Sequence, residues 1–485
     1  MRKVFLLLIL IVIVTFLFRL YFSFSYDNFT LGQSYFHIYQ TEKIKENIIP
    51  PGYDELSYSG RTISYPPLFH YILALTSFIP NNYKIIPALL FSLSVIIAFL
   101  VSLRISNNEW ASLLAAVLYS FTPIAIKQTL NSVSIYTLAI PLMFLILYFV
   151  ITLKEKPVFN LLILTTVLLL FTHPLFLILT ISFMLYPLLL KIVNIKINEN
   201  RKEAIIFFII LSLLAALLIF KKDLSILGFN TIFQNIPSQI QHNFFKSVNL
   251  IEIVSGIGLI NLVFGLIGIS NGLFKAKKAS IFLISSLILT LFALLAFKLI
   301  DFNLGLLILG LSLSLLSSLG IIAFFSYISK TKLYKLKPIF IFIILILIIL
   351  TSILPSFTQA SALDTISKKE FEAFEFIKSK TSPLSKIAAS PVEGHLINFI
   401  GRRNIMDTYY LNAPETTERF DDLNTLYITE ISSVAKQIID KYGIDYMLLT
   451  KHGRKFYNIQ KLSFRDKCLK EVFKNEEAEL YSAEC

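Results

Sequence analysis

Residues 26–71, YDNFTLGQSYFHIYQTEKIKENIIPPGYDELSYSGRTISYPPLFHY, form the only long polar interruption in the first three-quarters of a chain otherwise built of apolar runs. The stretch gathers acidic residues, basic residues and many tyrosines into one loop. Few other segments of this part of the chain offer a comparable set of reactive side chains. We therefore predict that the chemistry of this chain lies in this loop.

The composition identifies the class of protein. Of the 485 residues, 55% are hydrophobic and 15% are charged, and the mean hydropathy is +0.72. Water-soluble domains contain less apolar sequence, and it is more often interrupted. The net charge of +13 does not indicate nucleic-acid binding, because the basic residues lie in short loops between apolar runs, where they set topology and contact lipid headgroups. The chain is predicted to be a polytopic membrane protein.

The apolar runs predict about 11 transmembrane helices, since about 20 apolar residues cross a bilayer core. They lie near residues 4–22, 85–103, 111–126, 133–152, 158–172, 174–191, 204–220, 248–270, 281–298, 304–327 and 338–357. No small-residue cleavage site follows the first run, so we expect it to remain as an anchor. Residues 67–79 are too few to span and are expected to lie at the membrane interface.

Basic residues predict the orientation of these helices. About 16 Lys and Arg residues fall in the short loops on one side, against about 8 in the longer loops on the other. Because Lys and Arg accumulate in cytoplasmic loops, we expect a plasma-membrane protein with a cytoplasmic N-terminus. On this topology, the first loop, residues 22–84, and the tail, residues 359–485, both face the exterior.

The tail is predicted to be a separate soluble α/β domain. Its composition changes to mixed polar and charged, with helical patterns at 368–380 and 432–442 and strands at 387–390 and 444–449. A terminal hairpin is expected from strands 469–474 and 478–483. It would bring Cys468 opposite Cys485, either as a disulfide or as two unpaired thiols. The predicted fold class is therefore an all-α polytopic membrane bundle, residues 1–358, with a C-terminal exterior α/β domain.

Three acids of the first loop are candidate catalytic residues. Asp27 follows the first helix by a few residues, so a rigid element would hold its carboxylate near the outer headgroups, where it could bind a divalent cation or accept a proton. Capping of a helix near residue 29 is the alternative. Asp54 and Glu55 follow the turn Pro50-Pro51-Gly52, which could direct them towards Asp27; an ordinary solvated loop is their alternative.

Aromatic and basic residues of the predicted exterior side are candidate substrate-binding residues. Tyr65 could stack on a sugar, although tyrosines also anchor helices at interfaces. Exterior cations could bind a phosphate, although ordinary solvation would also place them there. Arg19, within the first helix, is expected to extend outward to the headgroups. The full set of substrate-binding candidates is Arg61, Tyr65, His70, Lys127, His173, Lys221 and Lys222.

These features together resemble a known family. A single helix, an exterior loop that opens with Tyr26-Asp27, a Gly-Arg pair before YPPLFH at 65–70, a long helical bundle and an exterior α/β tail look like the integral-membrane glycosyltransferases of the GT-C fold. The resemblance implies a sugar donor on a polyprenyl phosphate, delivered on the exterior side. It also implies that Asp27 acts in catalysis or holds a divalent cation, Mg²⁺ or Mn²⁺.

Two departures narrow that expectation. Many members of this family carry a second acid in the next exterior loop, but residues 122–136 contain none, which weakens the case for a two-acid metal site. The Trp-Trp-Asp-Tyr-Gly motif of oligosaccharyltransferases is also absent, since Trp110 is the only tryptophan. The resemblance therefore favours transfer of a single hexosyl or pentosyl unit to a glycan, lipid or protein. A lipid-linked saccharide transporter and a non-catalytic scaffold of the same fold are the alternatives.

Overall fold

The computed structural model describes residues 2–153, 156–243, 249–464 and 469–483. This part of the chain is mostly helical and has a small sheet near the C-terminus, which confirms the predicted general architecture. The helices are α1 Arg2–Phe24, α2 Gln33–Asn47, α3 Leu68–Leu75, α4 Asn82–Ser106, α5 Glu109–Ser120, α6 Pro123–Thr129, α7 Tyr136–Thr152, α8 Lys156–Leu170, α9 Leu175–Ile192, α10 Glu199–Ile219, α11 Lys221–Leu227, α12 Ser238–Asn243, α13 Leu250–Ile257, α14 Leu259–Asn271, α15 Ala279–Ala296, α16 Phe302–Ser329, α17 Lys337–Ile348, α18 Leu354–Ser361, α19 Lys368–Lys380, α20 Gly394–Phe399, α21 Thr416–Ile428, α22 Ser432–Tyr442 and α23 Lys451–Tyr457.

Eight helical segments of the described chain are long and apolar enough to cross a membrane, or nine if the bent pair α5–α6 forms one span. The pair bends by 44° between Ser120 and Pro123. Two further apolar helices, α7 and the Val158–Leu170 part of α8, are shorter. The chain is therefore a multi-pass membrane protein. The predicted span at 248–270 is wrong at its start, because the backbone breaks at Gly258 and the long apolar helix begins at Leu259.

Small residues let the central helices pack closely. α16 is the most buried long span, and it crosses α14 where Gly320 faces Phe264 and Gly268 faces Leu316. A Cβ atom on Gly320 would lie 2.0 Å from the Phe264 carbonyl oxygen, and one on Gly268 would lie 2.1 Å from that of Leu316. Close backbone approach of this kind drives helix association in lipid, where the hydrophobic effect between helices is absent.

The first loop folds into two helices and a short hairpin. α2 lies against α3, and strands β1 Tyr53–Asp54 and β2 Arg61–Thr62 pair antiparallel between them, with Asp54 opposite Arg61. The eight residues of α3 are too few to cross a bilayer. Leu75 at the end of α3 and Phe78 shortly after it are exposed.

A five-stranded mixed sheet forms the centre of the tail. Its strands are β3 Lys386–Ala388, β4 Arg403–Asn404, β5 Tyr446–Thr450, β6 Leu469–Lys474 and β7 Ala478–Ala483, in the order β4-β3-β5-β7-β6. β3 is parallel to β4 and β5, whereas β7 is antiparallel to β5 and β6. The hairpin β6–β7 lies where the sequence predicts it; Cys468 and Cys485 lie outside the described residues.

The first loop and the tail lie at the same end of the helical bundle, because they contact each other directly. Thr30 forms an isolated antiparallel bridge with Thr365, and α2 packs against α20 of the tail. The amide of Asn404 in β4 donates a hydrogen bond to the Leu56 carbonyl, 2.9 Å away. The two segments that carry most of the polar residues therefore form one continuous layer.

Candidate active site

Asp27 follows the end of α1 at Phe24 by three residues, and its side chain is exposed. Its carboxylate makes no hydrogen bond or ion pair to the described residues, although its charge interacts with that of Lys84. The alternative role as a helix cap does not fit, because α2 begins at Gln33 and Gly32 precedes it. The structure thus presents the carboxylate to the surface.

The backbone on both sides of Asp27 is held in place. The Tyr26 carbonyl accepts a hydrogen bond of 2.6 Å from Lys84 Nζ, and the Tyr26 hydroxyl donates to the Ala360 carbonyl at 2.9 Å. The Asn28 carbonyl accepts from Asn131 Nδ2 at 2.8 Å. These bonds come from α4, the α18 end and the loop after α6, so Asp27 combines an exposed carboxylate with a fixed backbone.

Four other predicted residues, Asp54, Arg61, Tyr65 and His70, lie away from the surface in a buried polar cluster between the first loop and the tail. Arg61 Nη2 lies 3.2 and 3.4 Å from the two carboxylate oxygens of Asp407, and both side chains are almost fully buried. Arg61 Nη1 also donates to the backbone carbonyl of Tyr409. Arg61 is therefore already paired within the protein.

Asp407 anchors the tail side of this cluster. Its Oδ2 accepts hydrogen bonds from Ser57 Oγ at 2.5 Å and Asn404 Nδ2 at 3.2 Å, and its Oδ1 accepts from the Tyr409 amide at 2.9 Å. Burial opposes ionisation of Asp407. The charge of Arg61 and these hydrogen bonds together outweigh the effect of burial, so the pKa of Asp407 is held below its ordinary value. Asp407 is thus a fully satisfied buried anion.

Asp54 supports the turn of the β1–β2 hairpin. Its Oδ1 accepts hydrogen bonds from the amides of Leu56 and Ser57, at 3.0 and 3.3 Å, and lies 3.4 Å from the Tyr39 hydroxyl. Burial raises the pKa of Asp54 above its ordinary value, although the Leu56 amide and the charge of Arg61 oppose the change. Glu55 is exposed. The hairpin does not bring either acid into hydrogen-bonding contact with Asp27.

A pair of histidines lies between α2 and α3. His37 Nδ1 is 2.9 Å from His70 Nε2, and both rings are buried. Tyr65 packs edge-on against His70, with 4.9 Å between ring centroids, and its hydroxyl donates to Gln40 Oε1 at 2.9 Å. His395 of the tail lies 3.8 Å from Asp407 of the ion pair. The Phe36 ring packs against both His70 and His395, and it thereby connects the histidine pair to the ion pair.

The remaining predicted residues are spread over other elements. His173 Nδ1 accepts a hydrogen bond of 3.2 Å from the Leu175 amide. Lys127 is exposed on α6, and Lys221 and Lys222 are exposed at the start of α11. The next residue, Asp223, is buried against Asn412 of the tail, and burial raises its pKa above the ordinary value.

The histidine pair predicts a loss of stability in acid. Burial holds the pKa of His37 well below its usual range and lowers that of His70 to about 3. Below about pH 6.5 the unfolded chain therefore binds protons that the folded chain does not, and stability falls by up to about 1.4 kcal/mol per pH unit for each ring. Thermal unfolding measured from pH 7 to pH 5 should show this, and the double variant His37→Gln/His70→Gln should show a flatter dependence.

The exposed His242 provides the matched control for that measurement. His242→Gln should leave the pH dependence of the unfolding temperature as it is in the parent chain. Equal slopes in the parent and the double variant would contradict the burial of the two neutral rings.

Comparison with known proteins relates this geometry to solved structures. No protein-family model and no curated protein matches the chain. The archaeal oligosaccharyltransferase AglB from Archaeoglobus fulgidus, solved with an inhibitory peptide and a dolichol-phosphate, superposes with a TM-score of 0.70 at 11% identity, over 92% of this chain and 70% of that one. ArnT from Cupriavidus metallidurans, bound to undecaprenyl phosphate, gives 0.56 at 9% identity over 99% and 97%. The mycobacterial arabinofuranosyltransferase AftD gives 0.58 at 15% identity over 98% and 40%.

All three are GT-C membrane glycosyltransferases. The chain has the GT-C fold.

The acidic residues that the structure describes are not grouped as a metal site. AglB has also been crystallised with Zn and sulfate. Here the described residues contain no group of three or more His, Cys, Asp or Glu side chains placed as metal ligands. The exposed Asp27 would be a single ligand of such a set.

Four buried residues were missed by the sequence reasoning: His37, His395 and Asp407 of the cluster, and Asp223 of α11. His37 and His70 lie 33 positions apart, and Arg61 and Asp407 lie 346 apart. The clearest available signal was the isolated acid and two tyrosines in Met406-Asp407-Thr408-Tyr409-Tyr410, inside a tail segment otherwise assigned to no element.

Proposed function

We propose that this chain is a membrane glycosyltransferase that moves a hexosyl or pentosyl unit from a polyprenyl-phosphate donor to a glycan, lipid or protein acceptor on the exterior face. The observation that carries the proposal is the exposed Asp27 carboxylate on a fixed backbone at the end of α1. The GT-C fold supports it, since AglB and ArnT were solved with dolichol-phosphate and undecaprenyl phosphate.

The proposed topology has eleven spans in the plasma membrane, a cytoplasmic N-terminus, and an exterior loop (22–84) and tail (359–485). The excess of Lys and Arg in the opposite loops supports this orientation. The direct contact between the first loop and the tail supports placing both on one side. The donor would then reach Asp27 from the outer leaflet.

In the proposed reaction the acceptor hydroxyl oxygen attacks the anomeric carbon of the donor sugar. The bond from that carbon to the phosphate oxygen breaks, and its electron pair leaves with the polyprenyl phosphate. The hydroxyl proton passes to the Asp27 carboxylate, which acts as the general base. The products are the glycosylated acceptor with inverted configuration and the free polyprenyl phosphate.

Fixed positive charge would stabilise the phosphate leaving group. Arg61 is paired with Asp407, so it supports the loop instead of binding the donor. Lys84 lies beside Asp27, and Lys127 is exposed on the neighbouring α6. Lys221 and Lys222 are exposed at the membrane surface, where they suit contact with anionic lipid headgroups. The fixed backbone would keep base and phosphate in register during the reaction.

Reconstitution of the purified chain in liposomes tests the function. Liposomes containing a panel of polyprenyl-phosphate sugars and an extract of exterior glycans should yield free polyprenyl phosphate and a glycan heavier by one sugar, both measured by mass spectrometry. Movement of the donor across the bilayer without any new glycosidic product would instead identify a transporter. Binding of glycans without release of polyprenyl phosphate from any donor would identify a non-catalytic scaffold.

A further inference from the structure

Arg19 turns into the helical bundle from the last third of a membrane-spanning helix. It lies five residues before the end of α1, about 7 Å from that end at 1.5 Å per residue. The expected outward extension to the headgroups is wrong, because the side chain is fully buried and its guanidinium carbon lies 3.9 Å from the centre of the Phe91 ring. A charged group at this depth therefore faces the protein interior.

The hydrogen-bonding capacity of this guanidinium is largely unused. Nη2 donates to Thr129 Oγ1 at 2.5 Å, whereas Nε and Nη1 have no partner among the described residues. No carboxylate of the described chain forms an ion pair with it. A buried charge without a counter-charge is expensive, and buried charges in membrane proteins are paired or functional. A bound anion would supply the counter-charge that Arg19 lacks among the described residues.

The surroundings of Arg19 are suited to an anion. It lines a narrow crevice with Ser23, Lys84, Thr129, Asn131 and Ser132, which supply a second cation, hydroxyls and an amide, and no acid lines the crevice. Arginine and lysine with hydroxyl and amide donors are the groups that bind phosphate in proteins. The crevice is closed to a water-sized molecule as it stands, and Lys84 Nζ is bonded to the Tyr26 carbonyl, a neutral partner that an anion could replace.

We propose that Arg19 and Lys84 together bind the phosphate group of a lipid phosphate. The identification of that lipid as the polyprenyl-phosphate donor or product rests on the proposed function. The position fits a lipid, because Arg19 lies within an apolar membrane-spanning helix, five residues before its end. Arg19 is eight residues before Asp27, so the bound phosphate would lie on the membrane side of the catalytic carboxylate.

Calorimetric titration of the purified full-length chain in detergent micelles tests this site. Farnesyl phosphate supplies the phosphate on a short prenyl chain, farnesol supplies the chain alone, and inorganic phosphate supplies the anion alone. Arg19→Met should weaken farnesyl phosphate binding about 10- to 100-fold, the effect of losing one or two charge-assisted hydrogen bonds, and should not change farnesol binding. Lys84→Met should weaken it in the same direction.

The thermal stability of the free protein separates ligand binding from a structural role. Because Arg19→Met removes an unpaired buried charge, its unfolding temperature without ligand should equal or exceed that of the parent. Arg104→Met, at the other end of α4, is the matched control and should bind like the parent. If the Arg19→Met chain binds farnesyl phosphate like the parent, the proposal is overturned. Inorganic phosphate that binds as tightly as farnesyl phosphate overturns its assignment to a lipid.

The binding measurement is repeated in the Asp27→Asn background, which separates it from the proposed function. Arg19-dependent binding in a parent chain that transfers no sugar would leave this site in place and remove the enzyme assignment. Sugar transfer by the parent, combined with farnesyl phosphate binding that does not depend on Arg19, would support the enzyme assignment and overturn this site. The variant Arg19→Lys keeps the charge and loses the fork of donors, so it should bind at an intermediate affinity.

Discussion

Asp27→Asn is expected to lower the rate of glycosyl transfer by about 10²- to 10⁴-fold, the usual contribution of a positioned general base. Asparagine has the shape of aspartate but cannot accept the acceptor's proton. The fold should not change, because the carboxylate is exposed and makes no hydrogen bond to the described residues. Single-turnover transfer in the liposome assay, with donor and acceptor saturating, measures this effect on the chemical step.

Glu46 provides the control for that result. It is also an exposed acid of the first loop, it pairs only with Lys43 on the same helix, and it lies at the far end of α2. Glu46→Gln should transfer sugar at the parental rate. Parental rates in both Asp27→Asn and Asp27→Ala, at equal expression, would remove Asp27 from the mechanism.

The second large effect concerns the ion pair between the first loop and the tail. Asp407→Ala leaves the Arg61 guanidinium buried without its counter-charge, together with the hydroxyl of Ser57 and the amide of Tyr409. Removal of one partner of a buried pair costs about 3–5 kcal/mol. Opening of this junction should therefore become about two to four powers of ten more frequent. Hydrogen exchange of β2 and β4, followed by mass spectrometry, measures that change.

A double variant shows whether the effect belongs to the pair. Arg61→Met/Asp407→Leu removes both charges, so it should cost much less than the sum of the two single changes. The exposed ion pair of Lys441 with Glu418 is the surface comparison. Glu418→Gln should change the free energy of opening obtained from hydrogen exchange by less than about 0.5 kcal/mol. A loss in the double variant equal to the sum of the losses in Arg61→Met and Asp407→Leu would mean that the two residues act independently.

Local pattern accounts for much of the fold. The helices Lys368–Lys380 and Ser432–Tyr442 and the strands Leu469–Lys474 and Ala478–Ala483 begin and end where the alternation of polar and apolar residues places them. Ser367 and Glu370 form a capping box, so the first of these helices has a strong local start signal. Patterns of this kind depend on neighbours within a few positions, which a single sequence contains.

Long-range pairing accounts for what the sequence could not provide. Arg61 was identified as a basic residue of the loop, but its partner lies 346 positions away. The same is true of Arg19, since its contact with Thr129 spans 110 positions, and an apolar helix does not show which of its faces meets the bundle. The lengths of the spans were also hard to predict, because the helix bends between α5 and α6 and the helical backbone is interrupted at Gly258. The exposed position of Asp27 could be predicted because it depends on one local feature, the end of α1.

The hydrogen bonds from residues 26–30 to residues 360–366 give the site an order of assembly. α1 and the first loop are synthesised first, whereas the tail residues that hold them, at the Ala360 carbonyl, the Thr365 bridge and the Ile366 carbonyl, leave the ribosome more than 300 residues later. Domains fold in the order in which they are made. The loop that carries Asp27 therefore waits, partly formed, through insertion of the whole bundle, and the Asp27 carboxylate takes its final position only when the chain is almost complete.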